Sequence, residues 1–511
     1  MTQRIGKIGT ITIADLSGGL NTNEGAGGVL DNQYVEGDNI YLIGKMPAKR
    51  KGYARYNNSA RISTTNAGKG IFHAKFIAGH KIIAVAGSSI KVKGTNAWTD
   101  ITGSVILTSG KPVMFTMINN VLVGTNGTNP AWYYDGTGTA VTLTGTYVPT
   151  APTVCVSFRG RLWLFQGRTA SWGGYMGSWA TFSADGTQDF GANVIGAATL
   201  GDELQNENES RLIILTEEPG IHYAVYDASL GAFTSGVAIF MFDTITQRHG
   251  AIAGLSVQEC VLDSGDMVLV WADTDGLKLL TGNKVVKLTE NIQPDWDALN
   301  ATYLHDAVGI FYKRKDWYLL FVCDGVSVTH NKVIVFDFTK MAVVGFFDWA
   351  VSAAGIITVS GLERLIGSDY SGYWNTYDEG YNDNTAAIVA HYKTKALGAG
   401  EYHNPFEKKG PFSLQIQYAY IGEYGFDVNV YYEHLKNVFS TSATTTTEGV
   451  LDDFVLDQDL LDIPSRLVAQ SVELRGWGRF FQLEIRNEAA DEPFITHRLD
   501  IAFKKGNDVY R

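Results

Sequence analysis

Between residues 82 and 378 one local pattern keeps returning: an apolar strand, a turn bearing Gly or Asp, then a second strand that often carries an aromatic residue. It reads IIAVAGSSIKVK from Ile82, VLVGTNGTNPAWYYDG from Val121, LWLFQGRTASWGGYM from Leu162 and LIILTEEPGIHYAVYD from Leu212. It returns as MVLVWADTDGLKLLTG from Met267, YLLFVCDGVSVTHNKVIVFDF from Tyr318 and LIGSDYSGYWNTYD from Leu365. Successive starts lie about 39, 41, 50, 55, 51 and 47 residues apart. A four-stranded propeller blade occupies about 40–50 residues. The spacing therefore predicts a β-propeller of six or seven blades over residues 62–385. The competing reading is an irregular pair of β-sandwiches with coincidental spacing.

Composition supports an all-β chain. Its 511 residues include 56 glycines against 11 prolines, with 12 % aromatic residues. Glycine supplies the positive φ of tight hairpins, and aromatic side chains suit a pleated, half-buried surface. No Gly-X-Y period makes it collagenous. One short helix is expected over Leu30–Tyr41, where the strand signals lapse. The run from Met341 to Leu362 holds a single charge, Asp348, and has the length of a membrane span. Burying that carboxylate at a bilayer centre costs about 3 kcal/mol, and the Gly, Val, Ile and Thr content fits two buried strands and a turn. No membrane span is expected.

After Asp378 the pattern changes to long strands of strict period two: Phe412, Leu414, Ile416, Tyr418 and Tyr420; Phe426, Val428, Val430 and Tyr432; Phe481, Leu483 and Ile485. Such alternation buries one face of each strand. Residues 386–511 are thus expected to form a C-terminal antiparallel β-sandwich platform. Within it a Thr-rich stretch from Ser440 leads into six acids with no compensating Lys or Arg, which fits a solvated loop. Residues 1–61 carry few strong strands and one basic cluster, Lys49, Arg50 and Lys51. They read as an extended N-terminal arm that gains order by lying on something else.

Charge and cysteine usage narrow the function. The chain has 41 Lys and Arg against 53 Asp and Glu, a net charge of −12, whereas an electrostatic nucleic-acid binder is basic. Three widely separated cysteines, Cys155, Cys260 and Cys323, argue against a disulfide framework, and MTQRIGKIGTITIADL lacks the apolar core of a secretory signal. Assembly in a reducing cytoplasm is the expectation. No metal-ligand spacing, phosphate-binding loop or nucleophile elbow is present, so no enzyme, metal or cofactor is nominated. Ser183–Thr187 (SADGT) approaches the Asp-box of propeller sialidases but is one residue short and occurs once. Asp135, Asp185, Asp275 and Asp324 are expected to form turns rather than to act as glycosidase carboxylates. Trp172, Tyr175 and Trp179 could stack on sugar, though packing inside a blade is the commoner fate of such residues.

Three stretches resemble the tail nozzle, or tail-hub, proteins of short-tailed bacteriophages. The first is DLSGGLNTN from Asp15 to Asn23, with Leu30–Gln33, Asp38–Ile40 and the basic turn Lys49–Tyr53. The second runs from Ala180 to Phe190, through Gly201 and Asp202, to Leu212–Leu215 and Gly220–Ile221. The third spans Gly250–Gly254, Val268–Leu277 and Leu288–Ile292. The resemblance implies a structural virion protein: a homohexamer docked below the portal and its adaptor ring, retaining DNA and conducting it at infection without binding it specifically. It further implies tail fibres or spikes as possible neighbours, and Lys49, Arg50 and Lys51 as the adaptor contact. A host-surface glycan-binding tail protein and a propeller glycan hydrolase are the alternatives.

Overall fold

The computed structural model describes residues 8–56, 61–63, 65–95, 97–201, 210–226, 240–359, 361–398, 409–419, 424–433, 439–444 and 467–505. Within them the chain is nearly all β, and its central part is a β-propeller. Seven antiparallel four-stranded units can be traced among the described residues. Their inner strands are Gly68–Phe76, Met114–Ile118, Val154–Phe158, Val194–Leu200, Gln258–Val261, Val308–Tyr312 and Ala353–Val359. Each inner strand lies against the next, and Ala353–Val359 returns to lie against Gly68–Phe76, which closes the ring.

All seven repeat starts read from the sequence fall in the second strand of a unit. That strand is covered on both faces by neighbouring units, so it reads as an unbroken apolar run. In Trp317–Val322 every residue is buried, and in Arg161–Gln166 all but Gln166 are. Large aromatic rings fill the space between units: Trp163 packs on Trp172 at 4.6 Å and on Phe240 at 4.8 Å between ring centroids. The Met341–Leu362 run folds into the strands Ala342–Phe347 and Ala353–Val359, and no helix among the described residues is long and apolar enough to cross a membrane.

The last unit is completed from the N-terminus. Tyr53–Arg55 pairs antiparallel with Trp374–Tyr377 and supplies its fourth strand. The N-terminal segment is accordingly woven through the molecule rather than laid on one side of it. Ile8–Ile13 pairs with Thr496–Lys505, while Gln33–Asp38 sits between Ala342–Phe347 of the sixth unit and Ala390–Thr394 beyond the propeller. The helix expected over Leu30–Tyr41 is absent. Gln33–Asp38 and Ile40–Ile43 are strands joined at Asn39, which takes φ 53°. Two existing strands offer ladder partners on either side, and that outweighs weak local helical preference.

Beyond the propeller two sheets share a core. One holds Ile8–Ile13, Thr496–Lys505, Lys409–Ala419 and Leu467–Glu473, in that order. The other runs from Gln33–Asp38 through Ala390–Thr394, Phe481–Asn487 and Gly425–Tyr432 to Phe439–Thr444. Of the alternating residues expected to face inward, Leu414, Ile416, Tyr418, Val428, Val430, Leu483 and Ile485 lie in one apolar cluster, which continues into the sixth unit at Val335 and Phe336, whereas Phe412, at a register shift in its strand, is half-buried and outside it. Tyr420 and most of the Thr-rich acidic stretch lie outside the described residues.

The closing seam of the ring contains a titratable contact. The Thr358 backbone N–H, on the last inner strand, donates to His73 Nδ1 on the first at 3.0 Å. A protonated Nδ1 cannot accept this bond. Burial pushes the His73 pKa below its ordinary 6.5, and the nearby His80 and Lys75 lower it further. Folding thus favours the neutral ring. Its contribution is complete above the unfolded-state value and is lost as pH falls through the depressed folded value. The melting temperature should therefore fall between about pH 7 and pH 5 more steeply in the native chain than in His73→Gln, which keeps an acceptor and does not titrate. Parallel acid profiles for the two proteins, followed by circular dichroism, would refute the assignment.

Candidate functional site

The inner strand of a propeller unit has one paired edge, and its other edge faces the axis. Here the inner strands surround a channel of about 590 Å³. Gly70, Ala197, Ala198, Gly309 and Gly355 keep parts of the wall low, while Phe72, Met114 and Phe115 fill others. Charge is sparse: Lys69, Glu259 and Asp306 are the lining residues ordinarily charged at neutral pH. The wall thus presents mostly backbone and small or apolar side chains.

At one end of the channel His330 organises the wall. Its ring is buried, with Nδ1 2.7 Å from the Val351 carbonyl oxygen and Nε2 3.0 Å from that of Asp306. Val351 and Asp306 each precede an inner strand by two residues, so the ring ties the approaches to the sixth and seventh units together. Burial holds its pKa below the ordinary imidazole value. The His330 backbone N–H donates to Tyr370 Oη at 2.7 Å. Sequence reasoning missed this residue, since a lone His in a loop carries no spacing signal.

Nucleophiles in the wall are occupied or quiet. Ser352 Oγ donates to the Ser368 carbonyl at 3.0 Å. Burial pushes the thiol of Cys155 up to about 12 and that of Cys323 to about 11, so neither is a thiolate at neutral pH. All three cysteines are free and buried. Among the described residues no group of three or more His, Cys, Asp or Glu side chains is placed to hold a metal ion.

The sequence-nominated residues are dispersed. Asp185 is exposed on the outermost strand of the third unit, Phe182–Asp189, away from the channel, which corrects its expected place in a turn. Asp135 does form a turn, accepting from the Thr137 N–H and hydroxyl, both at 2.8 Å. Asp275 sits in a hairpin beside Lys278 at 2.8 Å, and Asp324 pairs with Lys332 at 2.6 Å. Trp172 and Trp179 are buried in the packing between units, and Tyr175 is half-buried.

Lys49 and Arg50 are not offered to a neighbour, which corrects the expectation for the basic cluster. Lys49 is 2 % exposed and donates to Asn487 Oδ1 at 2.5 Å and to the Ala489 carbonyl at 3.0 Å. Burial lowers its pKa to about 8. Arg50, 1 % exposed, holds Asp383 with both Nη atoms, at 2.8 and 2.6 Å, and also pairs with Asp348. Its Nε donates to Asn39 Oδ1 at 2.6 Å, and the guanidinium lies over the Trp349 ring at 5.1 Å. Two carboxylates and an aromatic face make burying the cation tolerable. Only Lys51 is partly accessible. Gly52 follows because a Cβ there would stand 1.7 Å from the Asn382 carbonyl oxygen.

Neither a protein-family model nor a curated protein matches the chain. Among solved structures it is similar to the WD40 β-propeller domain of Doa1, at 11 % identity and TM-score 0.41, covering 64 % of this chain and 97 % of that one. It is also similar to the computationally designed Ika8 protein, at 12 % identity and TM-score 0.36, covering 63 % and 99 %. Neither likeness bears on function; the propeller rests on the strand order described above.

Removing the Arg50 guanidinium leaves Asp383, only 16 % exposed, without its counter-charge. Arg50→Ala should cost about 3 kcal/mol, with the 59 %-exposed Asp348 contributing little of it. Arg50→Lys should recover less than half, because an ammonium cannot make the two-pronged contact. Urea unfolding monitored by tryptophan fluorescence checks both, and an unchanged midpoint in Arg50→Ala would overturn the reading.

Proposed function

We propose that the chain is a structural, non-enzymatic component of a bacteriophage tail, a nozzle that assembles as a homohexamer below a portal-adaptor ring, holds back DNA and opens to conduct it. The observation that carries this reading is where the nozzle-like residues lie. The Asp15–Asn23, Leu30–Gln33, Asp38–Ile40 and Lys49–Tyr53 stretches fasten the propeller to the two-sheet unit. Asn21 Nδ2 donates to Gln33 Oε1 at 3.0 Å, the Thr22 N–H reaches the Asn291 carbonyl at 2.9 Å, and Arg50 clasps Asp348 and Asp383. A wall element that must resist a confined genome gains from such threading.

The propeller's own channel does not carry duplex DNA. The major groove alone is about 12 Å wide, and a cavity of 590 Å³ cannot hold a turn of such a helix. In this reading DNA passes along the axis of the ring of copies. Six chains at −12 each give about −72, a charge that repels phosphate and favours sliding over adhesion. Assembly takes place in the host cytoplasm, the product resides in the virion tail, and fibres or spikes attach around it.

A second reading, a host-surface glycan binder, is favoured by one observation. The axial channel has the volume of a small-ligand site, about 300–1,000 Å³. The two diverge in solution: a nozzle gives six-fold rings in negative-stain micrographs and joins purified portal-adaptor complexes, whereas a glycan receptor retains host polysaccharide on a column. A strict monomer that never joins adaptor rings would sink the nozzle reading.

A further inference from the structure

The outer strands of the propeller units carry the devices that prevent edge pairing. Trp98–Asp100 and Val141–Thr142 are three and two residues long. Lys284–Lys287 begins and ends on Lys, and Phe182–Asp189 carries two Asp and a register shift. One sheet departs from this practice at both ends. Ile8–Ile13, IGTITI, has no charge, no Pro and no bulge, and pairs along one edge only among the described residues. At the far side Leu467–Glu473, LVAQSVE, has neither Lys nor Pro and likewise pairs on one edge. Phe439–Thr444 lies close to it but belongs to the other sheet.

These two edges fit each other. The sheet has four strands, each antiparallel to its neighbour, so its end strands run in opposite senses. A second copy added in the same orientation therefore continues the antiparallel alternation. The faces match as well. In the register that sets Thr10 opposite Ser471, all of Ile8–Ile13 is covered by residues 468–473. Ile11 and Ile13, which lie across from Ile501 and Leu499, then meet Gln470 and Val468, which lie across from Ile416 and Tyr418. Thr10 and Ser471 are both exposed on the opposite face. At the Leu467–Glu473 edge, Gln470 Oε1 is buried with no hydrogen-bond partner among the described residues. An incoming strand brings N–H donors to that edge.

We propose that this chain self-associates head to tail by strand addition, Ile8–Ile13 of one copy completing the Leu467–Glu473 edge of the next. Such a contact is heterologous, and it makes a closed ring if the rotation between copies closes. It deepens the ring reading above but stands on the sheet edges alone, so the two can fail separately.

The test uses the full chain with Thr10→Cys and Ser471→Cys, singly and together, under mild oxidation. Residues directly opposite on antiparallel strands come within disulfide reach. The native cysteines are buried and should stay silent. The double variant should give a ladder of cross-linked species beyond the dimer on a non-reducing gel, and each single variant should stay monomeric on that gel. A double variant that yields no ladder, with light scattering showing a monomer, overturns the proposal. A covalent dimer from Thr10→Cys alone overturns it too, since that marks two-fold pairing of like edges. A ladder that does not end at six supports the edge contact and removes the hexamer.

Discussion

The arrangement of this molecule depends on one buried cation. Arg50 reaches Asp348, just after the sixth propeller unit, and Asp383, just after the seventh, while its Nε holds the Asn39 side chain at the turn that follows Gln33–Asp38. Three parts of the chain, around Asn39, Asp348 and Asp383, thus converge on a single guanidinium. Asn39 extends the contact, its Nδ2 donating to the Val389 carbonyl at 2.8 Å and its Oδ1 accepting from the Asp348 N–H at 3.2 Å. Trp349 and Phe347 exclude water from the charge. The clasp lets a propeller closed by an N-terminal strand share its sixth unit with a second body, because it fixes the chain before and after both junctions.

Ring closure raises a physical problem that the molecule meets in two ways. The first inner strand meets the last without a covalent link between them. Tyr53–Arg55 supplies the outer strand of the last unit from the N-terminal side, so the start of the propeller is tied to its end by ladder bonds. At the axis, the Thr358 to His73 hydrogen bond joins the same two units. Elsewhere neighbouring inner strands meet through side chains as well, Phe72 and Phe115 lying 5.7 Å apart between ring centroids, and the channel they surround carries little charge. His330 ties the approaches to two of those strands.

Much of the architecture was legible in the sequence because the second strand of each unit is buried on both faces. Ile82, Val121, Leu162, Leu212, Met267, Tyr318 and Leu365 mark those strands, since a continuous apolar run between Gly-bearing turns has few other places to go. The period-two strands Phe426–Tyr432 and Phe481–Ile485 announced a further sheet by a different mark, the alternation of apolar residues along one face. The inner strands were not legible: they border a channel that no periodicity describes. Gln33–Asp38 was misread as helical because its neighbours Ala342–Phe347 and Ala390–Thr394 lie more than 300 residues away. The basic cluster was misread because a run of Lys and Arg looks the same whether its partners are solvent or the carboxylates of Asp348 and Asp383.

By itself the sequence determined that this is a turn-rich β chain of repeated units with a change of pattern after Asp378, because burial and turn geometry leave local marks on composition and spacing. The tertiary structure alone decided where the N-terminal segment goes, which charges are buried, how the ring closes and which sheet edges are left open. Those features are set by pairings across hundreds of residues, and a hydrogen bond or ion pair between distant segments imposes no pattern on either of them.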